Sequence, residues 1–183
     1  MPNKEILTST CLALSYEKDM MNKTVVIGIG NPLRGDDGVG WAVVDALDSV
    51  AAAWGITAVR AHQLLPELID DFCQANQVIF VDASVAGEPG TVTMTPIQPT
   101  LDGPAASHQM HPGVLLALGL KLYGRMPPAY LITITGLDFG YQETLSAPVQ
   151  QSVSLVLDHI RQLVDGSNLP TASEFLANNI LNQ

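Results

Sequence analysis

The fold is decided by one stretch of the sequence, Gly28-Ile29-Gly30-Asn31-Pro32-Leu33-Arg34-Gly35-Asp36-Asp37-Gly38-Val39-Gly40. The apolar residues 24–27 lead into it, and apolar residues at helical spacing follow it, namely Val39, Val43, Leu47 and Val50. This order predicts a buried strand, a tight glycine-rich loop and a helix. Such a loop lies where the carboxyl end of a strand meets the amino end of a helix, which is where open α/β sheets place their functional sites.

Two adjacent acids, Asp36 and Asp37, lie at the end of this loop. One of them could cap the following helix by accepting hydrogen bonds from its free N–H groups. A second carboxylate beside the first is repelled by it unless a cation or a hydrogen-bond donor lies nearby. The pair therefore also indicates a metal-binding or proton-handling site, and the sequence leaves both interpretations open.

The glycines of the loop raise the alternative of a nucleotide-binding α/β domain. Gly28 and Gly30 begin like the dinucleotide-binding fingerprint, but Leu33 stands where the third glycine belongs. The two acids would face a pyrophosphate, which is electrostatically unfavourable, and the Gly-Lys-Ser/Thr ending of a P-loop is missing. Nucleotide binding is therefore the weaker interpretation.

Composition restricts the class of protein and its partners. The chain has 183 residues, of which 47% are hydrophobic and 14% charged, which is typical of a single soluble α/β domain. Its net charge of −10 argues against nucleic acid or an anionic membrane as partner and favours a basic surface or a cation. Two cysteines make no disulfide framework, which favours the cytoplasm. No apolar run reaches the roughly 20 residues of a membrane span.

The remaining pattern predicts a three-layer α/β/α fold around a mostly parallel five-stranded sheet. The expected strands are residues 24–29, 56–61, 77–81, 91–95 and 130–136, and the alternating fourth strand fits an antiparallel edge position. The expected helices are residues 37–53, a short segment after Pro66, residues 114–123 and residues 149–164. We expect a loosely ordered extension at residues 1–22, one α/β domain at residues 23–165 and a C-terminal tail at residues 166–183.

Further chemistry-bearing residues lie beside the central strand and before the third long helix. Asp82 follows the strand at residues 77–81 and is expected in the same crevice as the first loop, although it could simply bond to the following turn. His108 and His111 precede the helix at residues 114–123. Histidine is the commonest metal ligand, but either side chain could instead bond to backbone.

The first loop resembles that of the hydrogenase maturation endopeptidases, which trim the C-terminal tail from the nickel-containing large subunit of [NiFe] hydrogenases. The matching residues are Gly28, Gly30, Asn31, Leu33, Asp36, Asp37, Gly38 and Gly40. Many members carry Glu where this chain has Asp37, so its carboxylate reaches one methylene less far. The resemblance extends over about residues 23–164.

The resemblance implies that Asp37, Asp82 and His108 are both metal ligands and catalytic residues, with His111 as a spare candidate for the third ligand. In the family these residues are thought to recognise nickel already installed in the hydrogenase large-subunit precursor, and Zn2+ or Cd2+ could occupy the same site. Either Asp37 or Asp82 would act as the general base of a cytoplasmic, aspartic-type endopeptidase. The alternative is a non-catalytic, nickel-dependent binding protein or chaperone for hydrogenase assembly.

Other peptidase mechanisms lack their residues in this sequence. There is no Gly-x-Ser-x-Gly elbow and no His-Glu-x-x-His zinc motif. An aspartic-protease dyad of Asp36 and Asp37 is disfavoured, because adjacent residues tend to point their side chains apart. The acidic loop at residues 137–146 could line a substrate groove, or it could be an ordinary loop in which Ser146 caps the last helix.

Overall fold

The computed structural model describes residues 23–101 and 110–166, and within them five strands form one sheet in the order β2-β1-β3-β5-β4. The strands are β1 (Thr24–Ile29), β2 (Ile56–Ala61), β3 (Gln77–Ser84), β4 (Val92–Ile97) and β5 (Ala129–Thr135). All neighbouring strands run parallel except β4, which is antiparallel to β5 at one edge. The predicted sheet, including its antiparallel edge strand, is confirmed.

Helices cover both faces of the sheet and complete the predicted three layers. They are α1 (Val39–Leu47), α2 (Ala51–Trp54), α3 (Ile69–Phe72), α4 (Pro112–Tyr123) and α5 (Ala147–Asp165). The apolar sides of α1 and α5 pack on one face of the sheet, and those of α3 and α4 pack on the other. Within the described ranges, none of the helices combines the length and the apolarity needed to cross a membrane.

The central strand β3 contributes to both cores because its side chains alternate between the two faces. Ile79 and Val81 lie in the core beneath α1 and α5, whereas Val78 and Phe80 lie in the core beneath α3 and α4. All four side chains are fully buried. Burial on both faces explains why this strand is apolar throughout its first part, as expected of a central parallel strand.

The helix predicted over residues 37–53 is interrupted in the structure. A 3-10 turn at Gly35–Gly38 precedes α1, and α1 ends at Leu47, three residues before α2. Asp48 and Ser49, both weak helix formers, occupy the break. Asp48 keeps helical dihedrals, with φ −50° and ψ −35°, and the backbone leaves the helical region at Val50, where φ is −120°.

Glycines allow α1 to lie directly against the end of β1. A Cβ atom on Gly28 would lie 2.0 Å from the carbonyl oxygen of Gly40, and a Cβ atom on Gly40 would lie 2.3 Å from that of Ile29. Any side chain at either position would therefore collide with backbone. These glycines serve close packing of strand and helix, and this packing sets the position of the loop that carries Asp37.

Candidate active site

Asp37 and Asp82 line one cavity of about 180 Å³ at the carboxyl ends of β1, β2 and β3. Asp37 belongs to the turn before α1, and its Oδ2 accepts the Asn31 N–H at 2.9 Å. The other residues around the cavity are Ile29, Gly30, His62, Gln63, Leu64, Met110, His111 and Pro112. The fold thus brings together two carboxylates that are separated by 45 positions in the chain, at the edge where parallel sheets form their sites.

Asp82 lies within β3, which ends at Ser84. The sequence had suggested that Asp82 follows the strand. Burial raises the pKa of Asp82 to about 6, and the nearby charge of Asp37 acts in the same direction. A hydrogen bond of 2.9 Å from the Ala83 N–H to Oδ1 opposes part of this effect. Asp82 therefore holds a proton more tightly than an ordinary carboxyl group.

Asp36 is fully buried and points away from this cavity, into the loop that follows β5. Its two carboxylate oxygens accept hydrogen bonds from the N–H groups of Leu137, Asp138 and Ser146 and from the Ser146 hydroxyl, at 2.7–2.9 Å. Burial opposes ionisation of Asp36, but these four donors outweigh it and lower the pKa of the carboxyl group.

Neither of the two adjacent acids caps a helix, so the capping interpretation is wrong for both. Four donors to Asp36 explain how two neighbouring carboxylates are tolerated without a cation at that position. The expected divergence of the two side chains is confirmed, and a proton-sharing dyad of Asp36 and Asp37 is excluded by it.

The loop at residues 137–146 is fastened to the first loop by backbone hydrogen bonds as well as by Asp36. Gly35 donates to the Gln142 carbonyl at 2.7 Å, and Gln142 donates to the Leu33 carbonyl at 3.2 Å. Ser146 stands at the N-cap position of α5, but its hydroxyl bonds to Asp36 and makes no cap bond. The role of this loop in the structure is therefore to hold the first loop in place.

His111 contributes to the cavity wall and also caps α4. Its Nδ1 accepts the Gly113 N–H at 3.2 Å. Because the Nδ1 lone pair is used in this bond, the neutral ring carries its proton on Nε2. In this geometry the Nε2 of His111 is a hydrogen-bond donor, so metal binding by His111 would require loss of the cap bond or of the Nε2 proton. His108, which the sequence favours for the third ligand, lies outside the described residues.

His62 and Gln63 are cavity residues to which sequence analysis assigned no chemistry. Both directly follow β2, and both are exposed. Asp82 was singled out because polar residues at the carboxyl ends of parallel strands often form functional sites. The same rule applies to His62 and could have identified it from the sequence. Residues 23–101 and 110–166 contain no group of three His, Cys, Asp or Glu side chains placed to hold a metal ion on their own.

Comparison with solved structures relates this fold to known proteins. The hydrogenase maturating endopeptidase HybD from E. coli matches with a TM-score of 0.65 and 21% identity over 80% of this chain and 94% of that one. The [NiFe] hydrogenase maturation protease HycI from Thermococcus kodakarensis matches with a TM-score of 0.63 and 23% identity over 79% and 93%. A hydrogenase 2 maturation peptidase from a Thaumarchaeota archaeon matches with a TM-score of 0.60 and 23% identity over 78% and 98%.

The chain has the hydrogenase maturation endopeptidase fold. The resemblance seen in the first loop is thereby confirmed at the level of fold, and it extends over nearly the full length of those three structures. No protein-family model matches the sequence, and no curated protein matches it either. Within this fold, the cavity brings together four ionisable side chains, those of Asp37, His62, Asp82 and His111.

Proposed function

We propose that this protein is an endopeptidase that removes the C-terminal peptide of a [NiFe] hydrogenase large-subunit precursor after recognising its inserted nickel. The proposal is supported by the position of Asp37 and Asp82, which line the same cavity. The fold that holds them is similar to that of proteins named as hydrogenase maturation proteases. We expect the protein to act in the cytoplasm, because its two cysteines make no disulfide framework.

The donor set fits a nickel ion that arrives with the substrate. Carboxylate and imidazole groups bind borderline divalent ions such as Ni2+, and Zn2+ or Cd2+ would be accepted by the same groups. Asp37 and Asp82 supply two ligands, and we assign the third to His108. We treat the ion as one that arrives with the precursor rather than as a resident cofactor.

Hydrolysis of the peptide bond requires a base that activates water. Asp82 is the better candidate because burial and the charge of Asp37 raise its pKa to about 6, nearer to neutral pH than an ordinary carboxyl group. Aspartic-type chemistry in this protein would therefore use Asp37 and Asp82. The same two carboxylates would repel the phosphates of a nucleotide, which argues against the nucleotide-binding alternative.

The decisive experiment is mass determination on nickel-loaded and nickel-free large-subunit precursor after incubation with the purified protein. We expect loss of a short C-terminal peptide from the loaded precursor alone. Loss of the peptide from both forms would support the peptidase activity but would show that nickel does not control cleavage. Absence of cleavage, with tight binding of the loaded precursor, would favour the non-catalytic chaperone.

A second experiment distinguishes the two histidines as ligands. His108→Ala is expected to lower the rate of trimming by about tenfold or more, because a ligand is lost. His111→Asn is the matched variant, and it should trim within about twofold of wild type, because Asn is an equally good helix cap. The opposite pattern, measured by the same mass assay, would move the third ligand to His111.

A further inference from the structure

Two exposed polar side chains, His62 and Gln63, form the side of the cavity that follows β2. We call this pair the β2 wall. It stands beside the carboxylates of Asp37 and Asp82, yet the chemistry proposed above uses neither of its side chains. Side chains that line a cleft without taking part in its reaction are placed to contact whatever the cleft binds.

His62 is held in position by Trp41 of α1. The two rings lie with their centroids 4.6 Å apart and their planes at 43°. The Trp41 indole N–H donates to the carbonyl oxygen of Ala61 at 3.1 Å, so the same side chain also fixes the backbone just before His62. An exposed side chain that is already ordered loses less conformational entropy when it binds a ligand.

The cavity as a whole combines acceptors at one place with donors around them. Asp37 and Asp82 are acceptors when ionised, whereas a peptide main chain needs donors for its carbonyl oxygens. The His62 ring and the Gln63 amide supply N–H donors, and Gln63 also offers an acceptor for a peptide N–H. The β2 wall is thus suited to bind the main chain of a peptide whose scissile bond lies near the carboxylates.

We propose that His62, held by Trp41, is a substrate-positioning residue that binds the main chain of the precursor's C-terminal segment. The proposal rests on the proposed endopeptidase function and names the part of the site that binds the peptide. The metal ligands proposed above are Asp37, Asp82 and His108, so the proposal gives His62 no ligand role.

The proposal is tested by measuring KM and kcat separately for trimming of nickel-loaded precursor. His62→Ala is expected to raise KM about fivefold with kcat unchanged, which corresponds to the loss of one hydrogen bond. His62→Gln retains a side-chain N–H donor and should restore most of the lost affinity. Trp41→Phe keeps a ring against His62 but loses the bond to Ala61, so we expect a KM increase of about twofold.

Gln151→Ala provides a matched control, because Gln151 is an exposed polar residue on α5, outside the cavity. Its kinetic constants should equal those of wild type. An unchanged KM in His62→Ala would overturn the proposal, and so would a fall in kcat alone. A defect in His62→Gln as large as that in His62→Ala would also overturn the hydrogen-bonding role.

Direct binding separates failure of this proposal from failure of the proposed function. The Kd of nickel-loaded precursor is measured for Asp82→Asn and for the double variant with His62→Ala, neither of which is expected to cleave. A Kd about fivefold higher in the double variant would support the β2 wall even if the wild-type protein did not trim. Equal Kd values in the two variants would overturn it.

Discussion

Asp82→Asn is expected to lower the rate of trimming by about a hundredfold or more, the contribution typical of a general base. The same substitution should make the folded protein more stable above pH 6. Asn retains an oxygen that can accept the Ala83 N–H, so the local hydrogen bond survives. What disappears is a charge that the folded protein holds at a free-energy cost, since burial and Asp37 both disfavour ionisation.

The sign of the pH dependence follows from the raised pKa. The folded protein binds the Asp82 proton more tightly than the unfolded chain, so the contribution of Asp82 to stability is highest below its ordinary pKa of 3.8 and falls as pH rises through about 6. A pKa difference of about two units corresponds to roughly 3 kcal/mol at most. Asp82→Asn removes this loss and should raise Tm by several degrees at pH 8.

Thermal unfolding of wild type and Asp82→Asn between pH 4 and pH 8 provides the measurement. The difference in Tm should be small at low pH and grow toward pH 8. Asp71→Asn, an exposed acid on α3, is the matched control and should leave Tm nearly unchanged at every pH. A destabilised Asp82→Asn at pH 8 would contradict a buried and electrostatically unfavourable Asp82.

Asp36→Asn is expected to reduce the free energy of unfolding by about 3 kcal/mol or more, because buried donors lose their acceptor. The Asp36 carboxylate accepts from four donors, whereas an amide would place its NH2 group against some of the same N–H groups. Since its pKa is lowered, the stability that Asp36 contributes is present above the ordinary pKa and is lost as pH falls through the folded value.

Chemical denaturation at pH 7 measures this effect. Asp138→Asn is the control within the same loop, because Asp138 is exposed and its Oδ1 accepts only the Gly140 N–H, at 2.7 Å, among the bonds described for that side chain. Asn makes the same turn bond, so stability should change by less than about 0.5 kcal/mol. Equal stabilities of Asp36→Asn and wild type would refute the role assigned to the four donors.

The architecture was predictable because periodicity and apolar runs are local signals. β2 has the predicted bounds, and β3 and β5 differ from expectation only at their ends. The interrupted first helix was not predicted, because apolar spacing continues through Val50, the residue at which the backbone leaves the helical region. A change of backbone conformation at one apolar position leaves no trace in the helical pattern.

The candidate site was predictable only in part. Asp37 and Asp82 were expected to lie close together, because both belong to the carboxyl edge of one parallel sheet. The same reasoning could not separate the roles of Asp36 and Asp37, because the donors to Asp36 come from Leu137, Asp138 and Ser146, far along the chain. The assignment of His108 stays a prediction, as it lies outside the described residues.

The bonds between Asp36 and the loop after β5 also constrain when the cleft forms during synthesis. They join positions 101 to 110 residues apart in the chain. A ribosome adds about 5–20 residues per second, so the first loop exists for about 5–20 s before its fastening residues are made. The Asp37 carboxylate therefore reaches its final position only late in translation, and a partly synthesised chain displays no completed cleft to the proteins around it.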